Sequence, residues 1–414
     1  MVEKTPLGVF RRSWWQKNET VSERYMMKKI IIINNDMKVG GVQKSLYNLL
    51  WSIEGQYDIT LCLFRRSGEY AKQLPPTIKV VEARGAYRLL GMSQGECKGI
   101  KVLQRGALAA ASRLFGRKKV LGLIRCRQPQ LEESYDCAIS YLHNGRAKSF
   151  YGGVQDFVLD CVKAEKRVAF LHCDYRNCGA DHPENNRDME RFDRIAACSD
   201  GCRAVFESVL PELKERCVTV RNCHRFEEIR AMAEDEPVVY ESEAVNILMV
   251  SRLSHEKGID RAIRALAEAV KAGLFAKLHI VGGGAEEEHL REVARICGVS
   301  DLVVFHGEQG NPYRYMKNAD LLLMTSYHEA APMVIDEARS LGIPILTTET
   351  TSSRDMVTHM NCGWVCDNKQ EAINEALCRV VSNKEALASL KRDLLGQRAD
   401  NSIAIAQFAA MLEF

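Results

Sequence analysis

The sequence predicts an α/β protein of two doubly wound, Rossmann-like domains, each a parallel sheet covered by helices on both faces. Short apolar runs alternate with amphipathic stretches along most of the chain, as in parallel strands joined by helices. At 414 residues the chain is longer than one hydrophobic core usually supports. An acidic passage from Arg225 to Glu243 contains Pro237 and separates two series of strands. We therefore expect two domains that face each other across a cleft.

Apolar runs divide the chain into a first domain at 29–225, a linker at 226–244 and a second domain at 245–398. Residues 1–28 form an N-terminal extension, read as a surface-binding arm, a disordered tail or upstream sequence that is not made in the cell. A last helix within 399–414 is expected to cross back and pack on the first domain. The predicted strands are Ile30 to Asn34, Ile59 to Phe64, Cys137 to Tyr141, Arg167 to Leu171, Ile195 to Cys198, Val218 to Val220, Asn246 to Val250, Lys277 to Val281, Leu302 to Phe305, Leu321 to Met324, Pro344 to Thr347 and Gly363 to Cys366.

Composition narrows the class of protein. The net charge of +3 gives no reason to expect nucleic acid as a partner. Fifteen cysteines without a Cys-x-x-Cys motif, and no run of eighteen apolar residues, predict a cytoplasmic chain with reduced thiols. Zinc ligation by His172, Cys173, Cys178 and His182 has a spacing that matches no common closed site, so no metal is expected.

The segment from Ser326 to Pro344 contains the strongest functional signal. A predicted strand leads to Glu329, and Pro332 suits the first position of a helix because it has no N–H to leave unsatisfied. The free N–H groups of that helix start can bind an anion such as a diphosphate. Glu337 could then bond ribose hydroxyls and Glu329 a second sugar ring. Favourable placement of glutamates near the helix dipole is the simpler alternative.

Several motifs resemble those of retaining glycosyltransferases of family 4, which have the two-domain GT-B fold. They occur in the family's order between about Lys29 and Cys366. The matching segments are Gly40-Gly41-Val42-Gln43, Phe170 to Tyr175, Ala196 to Ser199 with Arg221-Asn222, Val250 to Asp260, and Glu329-x7-Glu337 with the residues that follow it.

This resemblance implies a metal-independent hexosyltransferase that moves a sugar from a UDP- or GDP-sugar to a saccharide, expected to be lipid-linked, in polysaccharide biosynthesis. The nucleotide-sugar is a substrate, and no cofactor is expected. The chain contains no Asp-x-Asp motif that would indicate a metal clamp on the diphosphate. The implied catalytic residues are His172 and Glu329; the donor-binding residues are Gly40, Gly41, Arg252, Lys257, Gly282, Gly283, Glu329, Ala331, Pro332, Met333, Val334 and Glu337; and the acceptor-side residues are Asn144 and Arg176.

Two positions depart from the family pattern. Ala330 stands where the family usually has glycine, and Gln43 stands where an acidic residue is usual. These departures favour an alternative, a non-catalytic partner that binds a nucleotide-sugar or glycan and regulates an active subunit. Epimerases and phosphorylases of the same fold are further rivals.

The stretch from Lys98 to Arg127 is basic and interleaved with apolar residues. Its charge suits peripheral contact with an anionic membrane at the inner face of the cell. The alternative is an ordinary amphipathic helix with a solvated basic face.

Overall fold

The computed structural model describes residues 27–92, 94–125, 128, 131–146, 148–150, 152–241 and 243–414. Within these ranges the chain forms two parallel sheets with helices on both faces. The predicted fold class is thereby confirmed. The proposed arm at 1–28 lies outside the described residues except for its last two, and Arg127 at the end of the basic stretch also lies outside them.

The first sheet is parallel throughout, with the order β3-β2-β1-β4-β5-β6-β7 in the described part of the chain. Its strands are β1 Lys29–Asn34, β2 Asp58–Leu63, β3 Lys79–Glu82, β4 Tyr135–Ser140, β5 Ala164–Leu171, β6 Arg194–Ala197 and β7 Cys217–Thr219. The helices that accompany it are α1 Gly41–Ser52, α2 Tyr87–Leu90, α3 Ile100–Phe115, α4 Arg117–Ile124, α5 Val154–Cys161, α6 Pro183–Met189 and α7 Asp200–Val209.

The second sheet is also parallel, with the order β10-β9-β8-β11-β12-β13. Its strands are β8 Val245–Val250, β9 Ala276–Val281, β10 Val303–Gly307, β11 Leu321–Met324, β12 Ile345–Thr348 and β13 Gly363–Cys366. The remaining helices are α8 Phe226–Glu234, α9 Ile259–Lys271, α10 Glu287–Ile296, α11 Tyr313–Met316, α12 Met333–Ser340, α13 Gln370–Ser382, α14 Lys384–Leu395 and α15 Ser402–Met411. None of the helices in the described ranges combines the length and the apolar character needed to cross a membrane.

Strand β1 shows how the apolar runs build a core on both faces of a sheet. Its four isoleucines are fully buried. Because successive side chains of a strand point to opposite faces, Ile31 and Ile33 pack in one hydrophobic cluster and Ile30 and Ile32 in another. A strand buried on both faces reads as a continuous apolar run, which explains why the sequence signal was strong.

All twelve predicted strands are present, and one further strand was missed. Strand β3, Lys79–Glu82, lies at the edge of the first sheet and has no fully buried residue. It pairs with β2 along one edge, and no strand of the described chain pairs with its other edge. Because none of its residues is fully buried, its sequence has no long continuous apolar run. Edge strands of this kind are short and polar because their free side faces solvent.

The chain passes between the two sheets twice. Helix α8, within the predicted linker, buries Phe226, Ile229 and Ala233 in a cluster with strands of the second sheet. Helix α15 returns to the first sheet, where Phe408 and Met411 lie in its core. Helix α8 thus packs on the second sheet. The exact limits of the two domains stay a prediction.

Helix α15 should contribute measurably to the stability of the first domain. Phe408 is fully buried, and truncating such a ring to alanine costs about 3 kcal/mol or more through lost burial and a residual cavity. We expect Phe408→Ala to lower the free energy of unfolding by that amount in urea denaturation followed by circular dichroism. Ile403→Ala, on the same helix but 57% exposed, should change it by less than about 0.5 kcal/mol. Equal effects of the two changes would contradict this packing.

Candidate functional site

The strand order of each sheet reverses direction at one point, which creates a crevice at the carboxyl ends of the strands. In the first sheet this point lies between β1 and β4, and in the second between β8 and β11. The loop after β8 contains Arg252 and Lys257, and the loop after β11 contains Glu329. The topology thus brings together residues that are more than seventy positions apart in the chain.

A cavity of about 560 Å³ lies between the two sheets at these crevices. The first domain contributes Gly41 and His172 to its wall. The second contributes Arg252, Lys257 and Glu329 from the two loops, together with the start of helix α12. The lining residues predicted from the sequence are Gly41, His172, Arg252, Lys257, Glu329, Ala331, Pro332, Met333 and Val334.

Helix α12 begins one residue later than the sequence predicts. Pro332 has φ −68° and ψ 118°, so it is the residue before the helix, and Met333 is the first helical residue. The change leaves the main property of the site intact, since the first-turn N–H groups of a helix have no intrahelical partner and its positive dipole end favours anions. The cavity wall therefore includes a built-in electropositive end.

Lys257 and Glu329 form an ion pair with each other. Their Nζ and Oε1 atoms are 2.6 Å apart, and the side chains are 21% and 12% exposed. Ser326 Oγ also donates to the same carboxylate oxygen at 2.8 Å. A ligand that binds Lys257 must therefore compete with this carboxylate for the ammonium group.

Arg252 is the more accessible of the two cations. Its side chain is 78% exposed and lies 3.2 Å from Glu256. At this exposure the ion pair is worth little, so the guanidinium can turn toward an anion in the cavity at small cost.

Glu337, predicted among the donor-binding residues, is paired with a lysine of the first domain. It is not among the described residues that line the cavity; its carboxylate is buried and accepts from Lys44 Nζ at 2.5 Å across the cleft. Lys44 also donates to the hydroxyl of Tyr313 at 2.7 Å. Burial alone would lower the pKa of Lys44, but the attraction of Glu337 and Tyr313 outweighs it and raises the pKa above its ordinary value. Lys44 and Glu337 thus form a salt bridge between the two domains.

His172 lies on the cavity wall just after β5. Its ring stacks on Phe170 with centroids 5.0 Å apart and contacts Tyr141 at 4.7 Å. Burial, with a smaller contribution from the neighbouring His143, lowers the pKa of His172 to about 3. Nε2 is buried without a hydrogen-bond partner among the described residues. The imidazole is therefore neutral at physiological pH.

The two predicted acceptor-side residues are engaged in local structure. Asn144 is buried; its amide nitrogen donates to Asp156 at 2.8 Å and its amide oxygen accepts from the backbone N–H of Gly153 at 2.9 Å. Arg176 donates to Ser208 Oγ at 3.1 Å. Neither is among the described residues around the cavity. In the structure the amide of Asn144 fixes the loop after β4, and its role toward an acceptor stays a prediction.

The predicted glycines have packing roles. Gly282 has φ +142°, and a Cβ there would lie 1.8 Å from the carbonyl oxygen of Ser251. It allows the loop after β9 to pack against the loop that leads to Arg252. Gly283 lies against Glu308, and Gly40 precedes helix α1 in an extended conformation. None of these three is among the described cavity-lining residues, and their part in donor binding stays a prediction.

Both departures from the family pattern have partners in the structure. The carbonyl oxygen of Ala330 accepts from Ser352 Oγ and, at 3.4 Å, from Ser199 Oγ of the first domain. Gln43 donates from its amide to Asp36 at 3.2 Å. The contacts of Ser199 with Ala330 and of Lys44 with Glu337 were not predicted from the sequence, because each joins residues from different halves of the chain.

The four residues considered as zinc ligands do not come together as a set. His182 precedes helix α6, where its Nδ1 accepts from the backbone N–H of Glu184 at 3.3 Å. Cys173 and Cys178 are neighbours, with sulfur atoms 3.0 Å apart. Their histidine neighbour is His143, which the sequence did not single out.

Comparison with known proteins finds a family match in the second half of the chain. The family model "Glycosyl transferases group 1" matches residues 234–394, which include β8 to β13 and the loops of Arg252, Lys257 and Glu329. We call this matched region the group 1 domain. The start of helix α12 and the paired charges of the cavity lie within it.

Curated relatives match about a third of the chain. The lipopolysaccharide glucosyltransferase WaaG of Escherichia coli is 33% identical over 138 residues, which is 33% of this chain and 37% of WaaG. A GDP-mannose-dependent phosphatidylinositol dimannoside mannosyltransferase of Mycobacterium tuberculosis is 32% identical over 141 residues, 34% of this chain and 36% of the relative. These matches span less than two fifths of the relatives' length.

Solved structures extend the likeness to both domains. HepE of Anabaena, in complex with UDP, superposes with a TM-score of 0.63 at 18% identity and covers 93% of this chain and 99% of HepE. At this identity the match shows the fold alone. The group 1 domain therefore sits in a complete GT-B fold.

The Lys44–Glu337 pair should be a strong contact between the first domain and the group 1 domain. Lys44→Met leaves a carboxylate buried and unpaired, which costs about 3 kcal/mol. We expect this loss in the free energy of unfolding and most of it regained in Lys44→Met/Glu337→Leu. Lys72→Met breaks an exposed pair with Glu69 and should cost at most about 0.5 kcal/mol. No difference between Lys44→Met and Lys72→Met would contradict the interpretation.

Proposed function

We propose that this protein is a retaining glycosyltransferase of family 4 that moves a hexose from a UDP- or GDP-sugar to a saccharide. One observation supports this most: the cavity at both strand-order reversals is lined by the start of α12, two cations and Glu329. Helix ends and cations suit a diphosphate. UDP in the structurally similar HepE supports a nucleotide donor.

The donor diphosphate is proposed to lie against the first turn of α12, beside Lys257 and Arg252. As the bond between the sugar and the diphosphate breaks, negative charge grows on the leaving nucleotide. Fixed cations and amide dipoles stabilise that charge in a partly closed cleft. In this proposal side-chain cations and the helix end do the work at the diphosphate, without a metal there.

Binding of the diphosphate would replace Glu329 as the partner of Lys257. Its ammonium leaves Glu329 for phosphate oxygens, and the freed carboxylate becomes available to hydroxyls of the transferred sugar. Glu337 would bond ribose only after an equivalent exchange with Lys44, which would also change the contact between the domains. Donor binding is thus proposed to be coupled to movement of the two domains.

His172 is proposed to face the reacting sugar from the first domain. A neutral imidazole can accept a hydrogen bond from a hydroxyl through the nitrogen that is not protonated. His172 lies on the cavity wall, which supports this placement of its ring.

The activity is tested by nucleotide release from a panel of UDP- and GDP-sugars with saccharide acceptors. Because Lys257 is proposed to act on charge that develops in the transition state, Lys257→Ala should lower kcat by about 100-fold. Glu329→Ala should reduce turnover of the sugar while nucleotide binding is retained.

Lys277→Ala is the matched control for Lys257→Ala. Lys277 lies in the same domain, is 20% exposed and pairs with Glu241 at 2.6 Å, away from the cavity. The Lys277→Ala change should leave kcat within about 2-fold of the value of the unmodified chain, as expected of a substitution away from the site. Nucleotide binding without turnover of any donor would instead favour the non-catalytic partner, to which Ala330 and Gln43 point.

We further propose that helices α3 and α4 contact an anionic membrane, which would place the enzyme at the inner face of the cell membrane and favour a lipid-linked acceptor. Large apolar side chains are exposed on both helices. Leu103 and Leu114 are 73% and 74% exposed and share a face of α3 with Ile100, and Leu123 of α4 is 84% exposed. Two of the relatives, a lipopolysaccharide glucosyltransferase and a phosphatidylinositol dimannoside mannosyltransferase, support a lipid-linked acceptor.

Not all the basic residues of this stretch are free to contact lipid. Arg117 is fully buried and donates to Asn185 at 2.8 Å, and Lys118 pairs with Asp188 at 2.5 Å. Both therefore support the fold. Among the described residues of this stretch, the exposed cations are Lys98, Lys101, Arg113, Lys119 and Arg125.

Flotation with vesicles containing phosphatidylserine tests the membrane proposal. Each basic residue near such a surface contributes about 1 kcal/mol, so changing Lys101, Arg113 and Lys119 to glutamate should weaken binding by at least about 100-fold. A triple change of Arg264, Lys271 and Arg295 to glutamate, on the exposed surface of the second domain, should have little effect. Absent binding of the unmodified chain, or equal loss in both triple variants, would refute the proposal.

A further inference from the structure

Three sulfur and nitrogen ligands converge on the first-domain wall of the cleft. His143 follows β4 by three residues, and Cys173 follows β5 by two. These strands are parallel neighbours, with Ser140 opposite Ala169. Their carboxyl ends therefore lie at one edge of the sheet, and Cys178 joins them from the turn after β5.

The three side chains have the spacing of a metal site. One ring nitrogen of His143 and the sulfur atoms of Cys173 and Cys178 all lie within 4.8 Å of one another. Tetrahedral bonds of about 2.3 Å to sulfur and 2.0 Å to nitrogen place ligand atoms roughly 3.5–3.8 Å apart. The 3.0 Å between the two sulfur atoms needs to widen by less than about 1 Å to reach that geometry.

None of the three ligands is tied to a competing role that would prevent binding. Nδ1 of His143 is buried and has no hydrogen-bond partner among the described residues. The sulfur of Cys178 lies beside Cys173 and 3.8 Å from the carbonyl oxygen of Tyr175, and it has a hydrogen bond with the backbone of Ala180. By contrast, Cys198 and Cys202 are 3.9 Å apart but have no histidine or carboxylate that completes a set in the described ranges.

We propose that His143, Cys173 and Cys178 bind one thiophilic divalent transition-metal ion of the zinc class. Two thiolates and an imidazole are the ligands that such ions prefer. Three protein ligands leave a fourth position, and because both cysteines line the cavity, that position opens toward it. Water or an oxygen atom of a bound molecule can fill it.

The ion would fix the turn that follows His172. Within that turn the backbone N–H of Cys178 donates to the carbonyl oxygen of Asp174 at 2.9 Å, and the Asp174 carboxylate accepts from Thr351 of the second domain at 2.7 Å. A metal bound at Cys173 and Cys178 would stiffen both the position of His172 and this contact between domains. The site is distinct from the cations proposed to bind the diphosphate, which lie on the opposite wall.

Titration of the reduced, chelator-treated full chain with Co²⁺ tests the site, because cobalt replaces zinc and reports thiolate ligation by absorption. We expect one ion per chain with sulfur-to-cobalt charge-transfer bands. Cys178→Ser and His143→Gln should weaken binding by more than about 10-fold, since a lost ligand costs at least as much as a lost outer-shell partner. Cys378→Ser, a half-buried thiol on α13, is the control and should bind as the unmodified chain does.

A measurement on the unmodified chain does not depend on how the variants fold. Added Zn²⁺ should protect Cys173 and Cys178 from alkylation, as mapped by peptide mass spectrometry, and leave Cys378 reactive. Circular dichroism checks that the variants are folded. Three results would overturn the proposal: no cobalt uptake, uptake unchanged in Cys178→Ser, or a disulfide between Cys173 and Cys178 in protein purified under reductant.

Discussion

A buried salt bridge between Lys44 and Glu337 ties the helix at the cavity wall to the first domain. It joins helix α1 of the first domain to helix α12 of the second, and both charges are largely removed from water. A buried ion pair contributes little net stability but is costly to break from one side. It therefore fixes the relative position of α12, whose first turn forms the wall of the cavity.

The same chemistry recurs inside the cavity at Lys257 and Glu329. Glu329 and Glu337, the two carboxylates of the predicted site, are each paired with a lysine. Such pairing lowers the cost of keeping charges in a partly closed cleft. In the proposed function, a negatively charged ligand with several hydroxyls exchanges partners with both pairs. The charged side chains of the site are therefore paired before the ligand binds as well as after it.

Much of the fold and part of the site could be predicted from the sequence. Twelve strands were found because parallel strands buried on both faces produce continuous apolar runs; β3 was missed because an edge strand does not. Arg252, Lys257 and Glu329 were placed together because loops after neighbouring parallel strands meet at one sheet edge. The loop contacts of Asn144 and Gly282 could not be predicted, because an amide or a glycine after a strand can serve loop packing as readily as ligand binding.

The sequence by itself determined two parallel-sheet domains and the cations and helix start that follow the strands of the second. These depend on local patterns: apolar runs of strand length, proline before a helix, glycine at tight turns. Only the tertiary structure decided that Lys44 pairs with Glu337, that Arg117 is buried, and that His143 lies beside Cys173 and Cys178. Those contacts join residues distant in the chain, and a side chain's partner there depends on how sheets and domains pack, which no local pattern encodes.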